Sequence, residues 1–384
     1  MTDVLAHTAS AATDQHAPLQ FLSPEGERVY TPENEAFRGY LTHLTLEELR
    51  TFYRDMSLIR RFDTEATALQ RQGELALYAP LLGQEAAQIG SAHAVRNTDM
   101  VFPSYREHGV AHVRGLDVAR ILRLFRGIDQ GGWDSFEHNF HLYTLVIGSH
   151  ALHATGYAMG LQRDAKAGRA NGDEAVLVYF GDGATSQGDV SEALGFAAVN
   201  NAPIVFFVQN NQWAISVPNE KQFKAPLYTR GEGFGVPGIR IDGNDVLASY
   251  AATQWALEHA RSGKGPVLIE AQTYRMGAHT TSDDPTKYRT REEENFWRER
   301  DPIDRVKALL INEGAWREAD QAALDAELEG FGEYIRGYVK GMETPLPSSM
   351  FDHVYATENA LVSQDRAWFE EYEASFLDTA KGGN

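Results

Sequence analysis

Two short apolar runs constrain this chain more than any other feature: residues 175–180 (AVLVYF) and residues 204–209 (IVFFVQ). Neither alternates polar with apolar residues, so neither can lie with one face in water. Each reads as a strand covered on both faces, the signature of a parallel sheet held between helical layers. The stretch between them, Gly188–Asn200, carries a helical pattern. It ends at Asn200-Asn201 with Pro203 close behind, a helix stop followed by a turn. Two further strands are predicted at Gly238–Asp242 and Val267–Gln272, separated by a helix over residues 246–262. Strands alternating with helices predict an α/β fold, a mostly parallel sheet flanked by helices with right-handed crossovers.

The flanks of this centre read differently. Residues 1–44 are rich in Ala, Thr, His and Pro without sustained periodicity, and predict an N-terminal arm that lies on something else or stays mobile. Helical pattern starts at Thr45, where Thr45 and Glu48 have capping-box spacing, and runs to about Gly73. Val118, Ile121, Leu122 and Phe125 mark the buried face of another helix. The α/β domain is therefore assigned to residues 45–290. Beyond it Asp301-Pro302 is a cap with a first-turn proline, and Leu324, Leu328, Phe331, Ile335 and Val339 recur at helical spacing. Residues 291–384 are predicted to form a helical C-terminal extension.

Charge and composition exclude several classes. The 54 acidic against 35 basic residues give a net charge of −19, which argues against nucleic acid or an anionic membrane as the main partner. Arg114, Arg120, Arg123 and Arg126 form one local basic set, read as a solvated helix face. There is no cysteine, hence no disulfide, thiolate metal site or thiol nucleophile. The apolar stretch 202–208 is far too short to span a bilayer, and no Lys or Arg precedes Arg28. These features predict a cytoplasmic protein.

The chemistry concentrates where the first strand ends. Gly181-Asp182-Gly183-Ala184-Thr185-Ser186-Gln187-Gly188 follows it directly. Glycines there let backbone N–H groups approach an anion, and a helix start adds favourable dipole for phosphate oxygens. Asp182 beside that anion makes sense only with a cation between them, and a hard cation such as magnesium takes oxygen ligands shared with phosphates. The helix carries the chain to the far end of the sheet and the second strand returns it. Asn210-Asn211 therefore emerges beside Asp182, at the edge where α/β sheets bind ligands. The spacing is not G-x-G-x-x-G, and no G-x-x-x-x-G-K-[ST] occurs, so neither a dinucleotide turn nor a P-loop fits. His108 and His112 have the i,i+4 spacing of a zinc pair, but no Glu follows His108 and Gly109 weakens the helix. His150 and His153 read as pocket-lining or structural.

Gly-Asp-Gly followed about thirty residues later by Asn-Asn resembles the thiamine-diphosphate motif. The fuller string GDGATSQGDVSEALGFAAV…APIVFFVQNNQWAIS resembles the alpha subunits of the decarboxylating component of pyruvate and branched-chain 2-oxo acid dehydrogenase complexes. Further matching segments are YAP…GQEA from Tyr78 to Ala86, VFPSYRE from Val101 to Glu107, and YRMGAHTTSDDPTKYRTREE from Tyr274 to Glu293. The resemblance implies a thiamine-diphosphate-binding fold. It implies that Asp182, the Asn211 side chain and the Trp213 carbonyl bind Mg²⁺, and that Gly181, Gly183 and Ala184 border the diphosphate. Tyr105, Arg106 and Arg275 match positions that hold the diphosphate, a task suited to the planar fork of arginine. Leu145 and Ile147 match backbone contacts to the aminopyrimidine. His279 matches the active-site histidine, in a loop expected to order with cofactor, and Thr280 falls at the regulatory phosphoserine position of animal members.

The same resemblance implies oxidative decarboxylation of a small-molecule 2-oxo acid and acyl transfer to the lipoyl group of an acyltransferase core. It implies a separate beta subunit and an assembly of two alpha and two beta chains. Arg106-Glu107-His108-Gly109-Val110 is nearer the branched-chain relatives, and YAP…GQEA nearer the bacterial pyruvate enzymes; the reading leans to branched-chain substrates. An acetoin dehydrogenase alpha subunit and a non-catalytic scaffold paralogue are the competing readings.

Overall fold

The structure, a computed structural model, describes residues 17–129 and 132–381. Residues 1–16 of the expected arm lie outside the described residues. The strands are β1 (Met100–Phe102), β2 (Val176–Gly181), β3 (Ile204–Asn210), β4 (Gly238–Asp242) and β5 (Val267–Gln272). All pair in parallel, in the order β1-β2-β3-β5-β4. Among the described residues the other sheet is a two-residue hairpin, Trp213–Ala214 against Val217–Pro218.

Both central strands are buried along their length, as their unbroken apolar runs require. On one face Val176, Val178, Phe180, Ile204, Phe206 and Val208 meet small residues of α4 (Ser149–Lys166) and α5 (Gly188–Asn200). Alanines such as Ala154, Ala158, Ala193 and Ala197 let these helices lie close against the phenylalanines. Each buried Phe contributes roughly 1.5–3 kcal/mol of transfer free energy. On the other face the Tyr179 hydroxyl bonds Ser91 Oγ at 2.7 Å, from α2 (Glu85–His93). Here α6 (Val246–His259) packs beside α2.

Thr45 caps α1 (Leu46–Arg71) in the predicted capping box with Glu48. Asn201, at φ 48°, ends α5 as the sequence implied. The helix predicted over 246–262 stops at His259 and finishes in a π-type turn, Ala260–Lys264. The helix face at 118–125 divides into a 3-10 turn, Val118–Ile121, and a short helix, α3 (Leu122–Arg126). Residues 17–44 lie on the sheet edge: Leu19 bridges Ile241, and Asp245 Oδ2 accepts the Phe21 and Leu22 N–H groups at 2.6 and 2.8 Å. A short helix, Pro32–Arg38, follows.

One compact unit reaches to Lys340 and so includes α7 (Arg291–Arg298), α8 (Pro302–Asn312) and α9 (Glu318–Lys340). Leu324, Ile335 and Val339 are buried on α9, which packs on α1. Residues 341–384 form a second unit, with α10 (Ala360–Lys381). Within it Phe351 packs on Phe369, and Arg366 pairs with Asp352 at 2.5 Å. No helix among the described residues is long and apolar enough to cross a membrane.

Candidate active site

β2 and β3 pair with Gly181 opposite Gln209, so Asp182 and Asn210-Asn211 leave the sheet side by side. They open onto a cavity of about 170 Å³ at the C-terminal ends of the strands. Eleven of the twelve residues predicted for the site line it: Tyr105, Arg106, Ile147, Gly181, Asp182, Gly183, Ala184, Asn211, Trp213, Arg275 and His279. Leu145 does not; it is 58% exposed, on the turn it shares with Val146 and the lining Ile147, which Gly148 closes at φ +85°. The resemblance gives Leu145 a backbone contact, which does not call for its side chain in the cavity.

The structure separates the two asparagines. Asn210 is consumed by architecture: its Nδ2 donates to Glu270 Oε1 at 2.6 Å, and its Oδ1 accepts from Asn219 Nδ2 at 2.7 Å. Asn211 instead donates Nδ2 to Gln84 Oε1 at 3.2 Å. That bond fixes which way the amide faces and leaves Oδ1 with the Trp213 N–H at 3.3 Å. Asp182 is 1% exposed, and Gln222 Nε2 donates to its Oδ2 at 2.9 Å. Burial, outweighing the Gln222 bond, pushes its carboxyl up to about 6. Among the described residues this carboxylate forms no salt bridge, with Arg275 acting on it only from a distance, and an oxygen-preferring cation would supply a close counter-charge. Asp182, Asn211 Oδ1 and the Trp213 carbonyl are all oxygen donors and fit such an ion. The Trp213 carbonyl already accepts Arg275 Nη1 at 3.0 Å, leaving its second lone pair.

Two guanidiniums face the same cavity. Arg106 donates to the carbonyls of Pro80 and His279, the latter at 2.9 Å. Arg275, 1% exposed, donates to the carbonyls of Trp213 and Ile215 and to the Tyr288 hydroxyl at 3.0, 2.7 and 3.0 Å. Among the described residues neither forms a salt bridge, and Arg275 Nε has no hydrogen-bond partner. Burial, and next the nearby Arg106 charge, lower Arg275 to about 10. Buried cations facing only neutral acceptors are expensive unless an anion joins them.

His279 Nδ1 lies 3.4 Å from both Arg106 Nη2 and Arg275 Nη1. It can only accept there, so the neutral ring carries its proton on Nε2. Burial and the two guanidiniums lower His279 to about 3. Asp283 Oδ2 accepts the His279 backbone N–H at 2.8 Å.

Several lining residues escaped the sequence reading. Glu107 is buried and its carboxylate is fully engaged. Oε1 accepts Gln209 Nε2 at 2.5 Å, and Oε2 accepts the Ser104 N–H and hydroxyl at 2.7 and 2.8 Å. Burial raises this carboxyl above its ordinary value. Gln84, in the GQEA segment, and Gln209, beside the asparagine pair, stand in the matching strings and could have been found there; Gln222, which bonds Asp182 from outside the lining, carried no signal. His150 lines the cavity, its Nε2 on the Tyr179 carbonyl at 2.7 Å, whereas His153 is exposed. The zinc spacing of His108 and His112 leads nowhere. His108 bonds Tyr143 and the Ala79 carbonyl, and His112 bonds Asp55. The basic set is likewise engaged locally: Arg114 on the His138 carbonyl, Arg120 on that of Gly132, Arg123 with Asp129, Arg126 with Glu74.

Fold and site together define an α/β protein whose strand ends gather two guanidiniums and a set of oxygen donors around one cavity. Comparison with known proteins makes this specific. A family described as the dehydrogenase E1 component matches residues 53–331. The 3-methyl-2-oxobutanoate dehydrogenase subunit alpha of Mycobacterium tuberculosis is 44% identical over 347 residues, 90% of each chain. The pyruvate dehydrogenase E1 component subunit alpha of Acholeplasma laidlawii is 40% identical over 88% of this chain and 96% of its own. The mitochondrial 2-oxoisovalerate dehydrogenase subunit alpha of Mus musculus is 36% identical over 82% and 72%. The chain belongs to the dehydrogenase E1 component family, among its 2-oxo acid dehydrogenase alpha subunits.

Proposed function

We propose that this chain binds the diphosphate end of thiamine diphosphate through Arg106, Arg275 and the Gly181–Ala184 turn, with Mg²⁺ on Asp182, Asn211 and Trp213. The observation that carries the reading is the pair of buried, acid-free guanidiniums converging with Asp182 on one cavity. When bound, the cofactor supplies a carbon nucleophile and an electron sink for decarboxylation of a 2-oxo acid. The chain's own residues orient it. Arg106 and Arg275 fork onto phosphate oxygens, and Gly183 keeps the turn open, since a Cβ there would lie 2.8 Å from Ala214 Cβ. His279, neutral and hydrogen-bonded at Nδ1, presents an Nε2 proton to negative charge developing in the cavity and assists acyl transfer to a lipoyl group.

Thiamine chemistry also needs a carboxylic acid beside the aminopyrimidine. The acids lining the cavity are Asp182 and Glu107, and both are engaged at the diphosphate side. The cavity is also below the roughly 300–1,000 Å³ that usually encloses a whole ligand. Both points support a cofactor shared with a beta subunit that brings the missing glutamate, in an assembly of two alpha and two beta chains serving a lipoyl acyltransferase core in the cytoplasm. The exposed Leu145-Val146-Ile147 and Ile215 suit the rim of such an interface. A branched-chain 2-oxo acid is the proposed substrate. The name of the Mycobacterium tuberculosis relative supports it, against the pyruvate named for the Acholeplasma laidlawii relative. The acetoin and scaffold readings are not favoured. The alpha chain alone, saturated with thiamine diphosphate and Mg²⁺, is expected to show no decarboxylation, and adding the cognate beta chain to restore it. A panel of pyruvate, 2-oxoisovalerate, 4-methyl-2-oxopentanoate and 2-oxoglutarate then ranks substrates. Turnover by alpha chain free of beta by mass spectrometry would refute the shared site.

A further inference from the structure

Residues 78–83 and 273–281 run against each other as two bonded rails. The Tyr78 N–H donates to Thr281 Oγ1 at 3.1 Å, and the Thr281 N–H returns to the Tyr78 carbonyl at 2.9 Å. Met276 N–H donates to the Leu82 carbonyl at 3.0 Å, and Thr273 Oγ1 to that of Gly83 at 2.8 Å. His279 sits on the second rail, between the Met276 and Thr281 attachments. The first rail also supplies the Pro80 carbonyl that holds Arg106 and the Ala79 carbonyl that holds His108.

This first rail is fixed from behind. Asp63 on α1, 3% exposed, accepts the Tyr78 hydroxyl on Oδ1 and the Leu81 N–H on Oδ2 at 2.8 Å. The Tyr78 ring stacks on His108 at 5.4 Å and meets Phe62 and Phe125 edge-on. Tyr78 is thus immobile at both ends, its ring in the core and its backbone on Thr281. Past Thr281 the segment 282–287 is exposed apart from partly buried positions, and its tie is Asp283, whose carboxylate takes the His279 N–H and the Tyr288 hydroxyl.

We propose that Tyr78 and Thr281 are positioning residues that latch the His279 segment, although neither lines the cofactor cavity. The proposal rests on His279 being the residue that assists acyl transfer. Side-chain bonds close the latch at two points that can be removed separately, the Tyr78 hydroxyl and the Thr281 hydroxyl. Neither hydroxyl bonds Arg106, Arg275 or Asp182 directly, so cofactor affinity should change little, while the His279 segment, still tied through Arg106 and Asp283, loses one of its attachments.

The test uses the alpha–beta complex loaded with thiamine diphosphate and Mg²⁺, carrying Thr281→Val, Thr281→Ser or Tyr78→Phe in the alpha chain. Hydrogen exchange read by mass spectrometry should rise roughly fivefold to tenfold at residues 277–283 in Thr281→Val and Tyr78→Phe, the weight of one lost hydrogen bond. Exchange in β3 should stay put. Acyl transfer to a lipoyl domain should slow by a similar factor or more, with Thr281→Ser restoring both. Wild-type exchange at 277–283 in both Thr281→Val and Tyr78→Phe would overturn the latch. Raised exchange with undiminished transfer, matched by undiminished transfer in His279→Ala, would instead overturn the role assigned to His279.

Discussion

Asp63→Asn separates charge from structure at one buried position. The asparagine keeps the Leu81 bond, its Oδ1 accepting the N–H, and reverses the other, its Nδ2 donating to the Tyr78 oxygen. What disappears is the titration. Burial, and to a lesser degree the Glu85 charge, push the Asp63 carboxyl up to about 7, against the opposing Tyr78 bond. The folded chain therefore holds a proton that the unfolded chain loses near pH ~3.9. The resulting stability is complete below that pH and is lost as pH rises through about 7. Roughly three pH units at about 1.4 kcal/mol each give about 4 kcal/mol at most. His108, stacked on Tyr78, works in the opposite sense. Burial lowers it to about 3, so stability falls as pH drops from about 6.5 toward that value. In the wild type the two slopes oppose each other over roughly pH 4 to 6.5. In Asp63→Asn the Asp63 contribution is gone, while those of His108 and of the other shifted groups, common to both proteins, remain. Guanidinium midpoints read by tryptophan fluorescence should show the variant losing up to about 4 kcal/mol relative to wild type between pH 7 and pH 4. Parallel curves for the two proteins across that range would refute the reasoning.

Asn211→Ala should leave the fold intact and weaken thiamine diphosphate binding at least tenfold in the presence of Mg²⁺, as is usual for a lost metal-site group; wild-type affinity by calorimetry would remove Asn211 from the ligand set. His279→Ala should impair transfer to a lipoyl domain far more than reduction of an artificial electron acceptor, and full activity in both assays would make the histidine structural. Gly83→Ala combines φ +95° with a Cβ placed 2.2 Å from the Tyr274 carbonyl oxygen. It should cost at least about 2 kcal/mol, and a melting temperature within about 1 °C of wild type would contradict that close approach.

The sheet was legible because its strands are buried on both faces. The predicted strands Gly238–Asp242 and Val267–Gln272 match the structure at both ends. β1, three residues long, was missed because MVF carries no period of its own. The placing of residues 17–29 was equally unreadable, since partners more than two hundred residues away hold them, among them Ile241, Asp245 and Arg305. At the site, strand-end logic brought Asp182 and the asparagine pair together. The resemblance, not the spacing, chose Asn211 over Asn210; Glu270, sixty residues away, engages Asn210. Glu107 looked like part of a motif string; only burial and its engaged oxygens show that it braces the Ser104–Arg106 turn.

The acid-free pairing of Arg106 with Arg275 has a practical side. A site of this kind does not discriminate among tetrahedral anions before the rest of the cofactor engages. Inorganic phosphate or sulfate in a purification buffer should settle between the two guanidiniums of the cofactor-free chain. Reconstitution then becomes a displacement, and its rate should fall as buffer phosphate rises, while a change of buffer to an uncharged or cationic species should restore rapid loading.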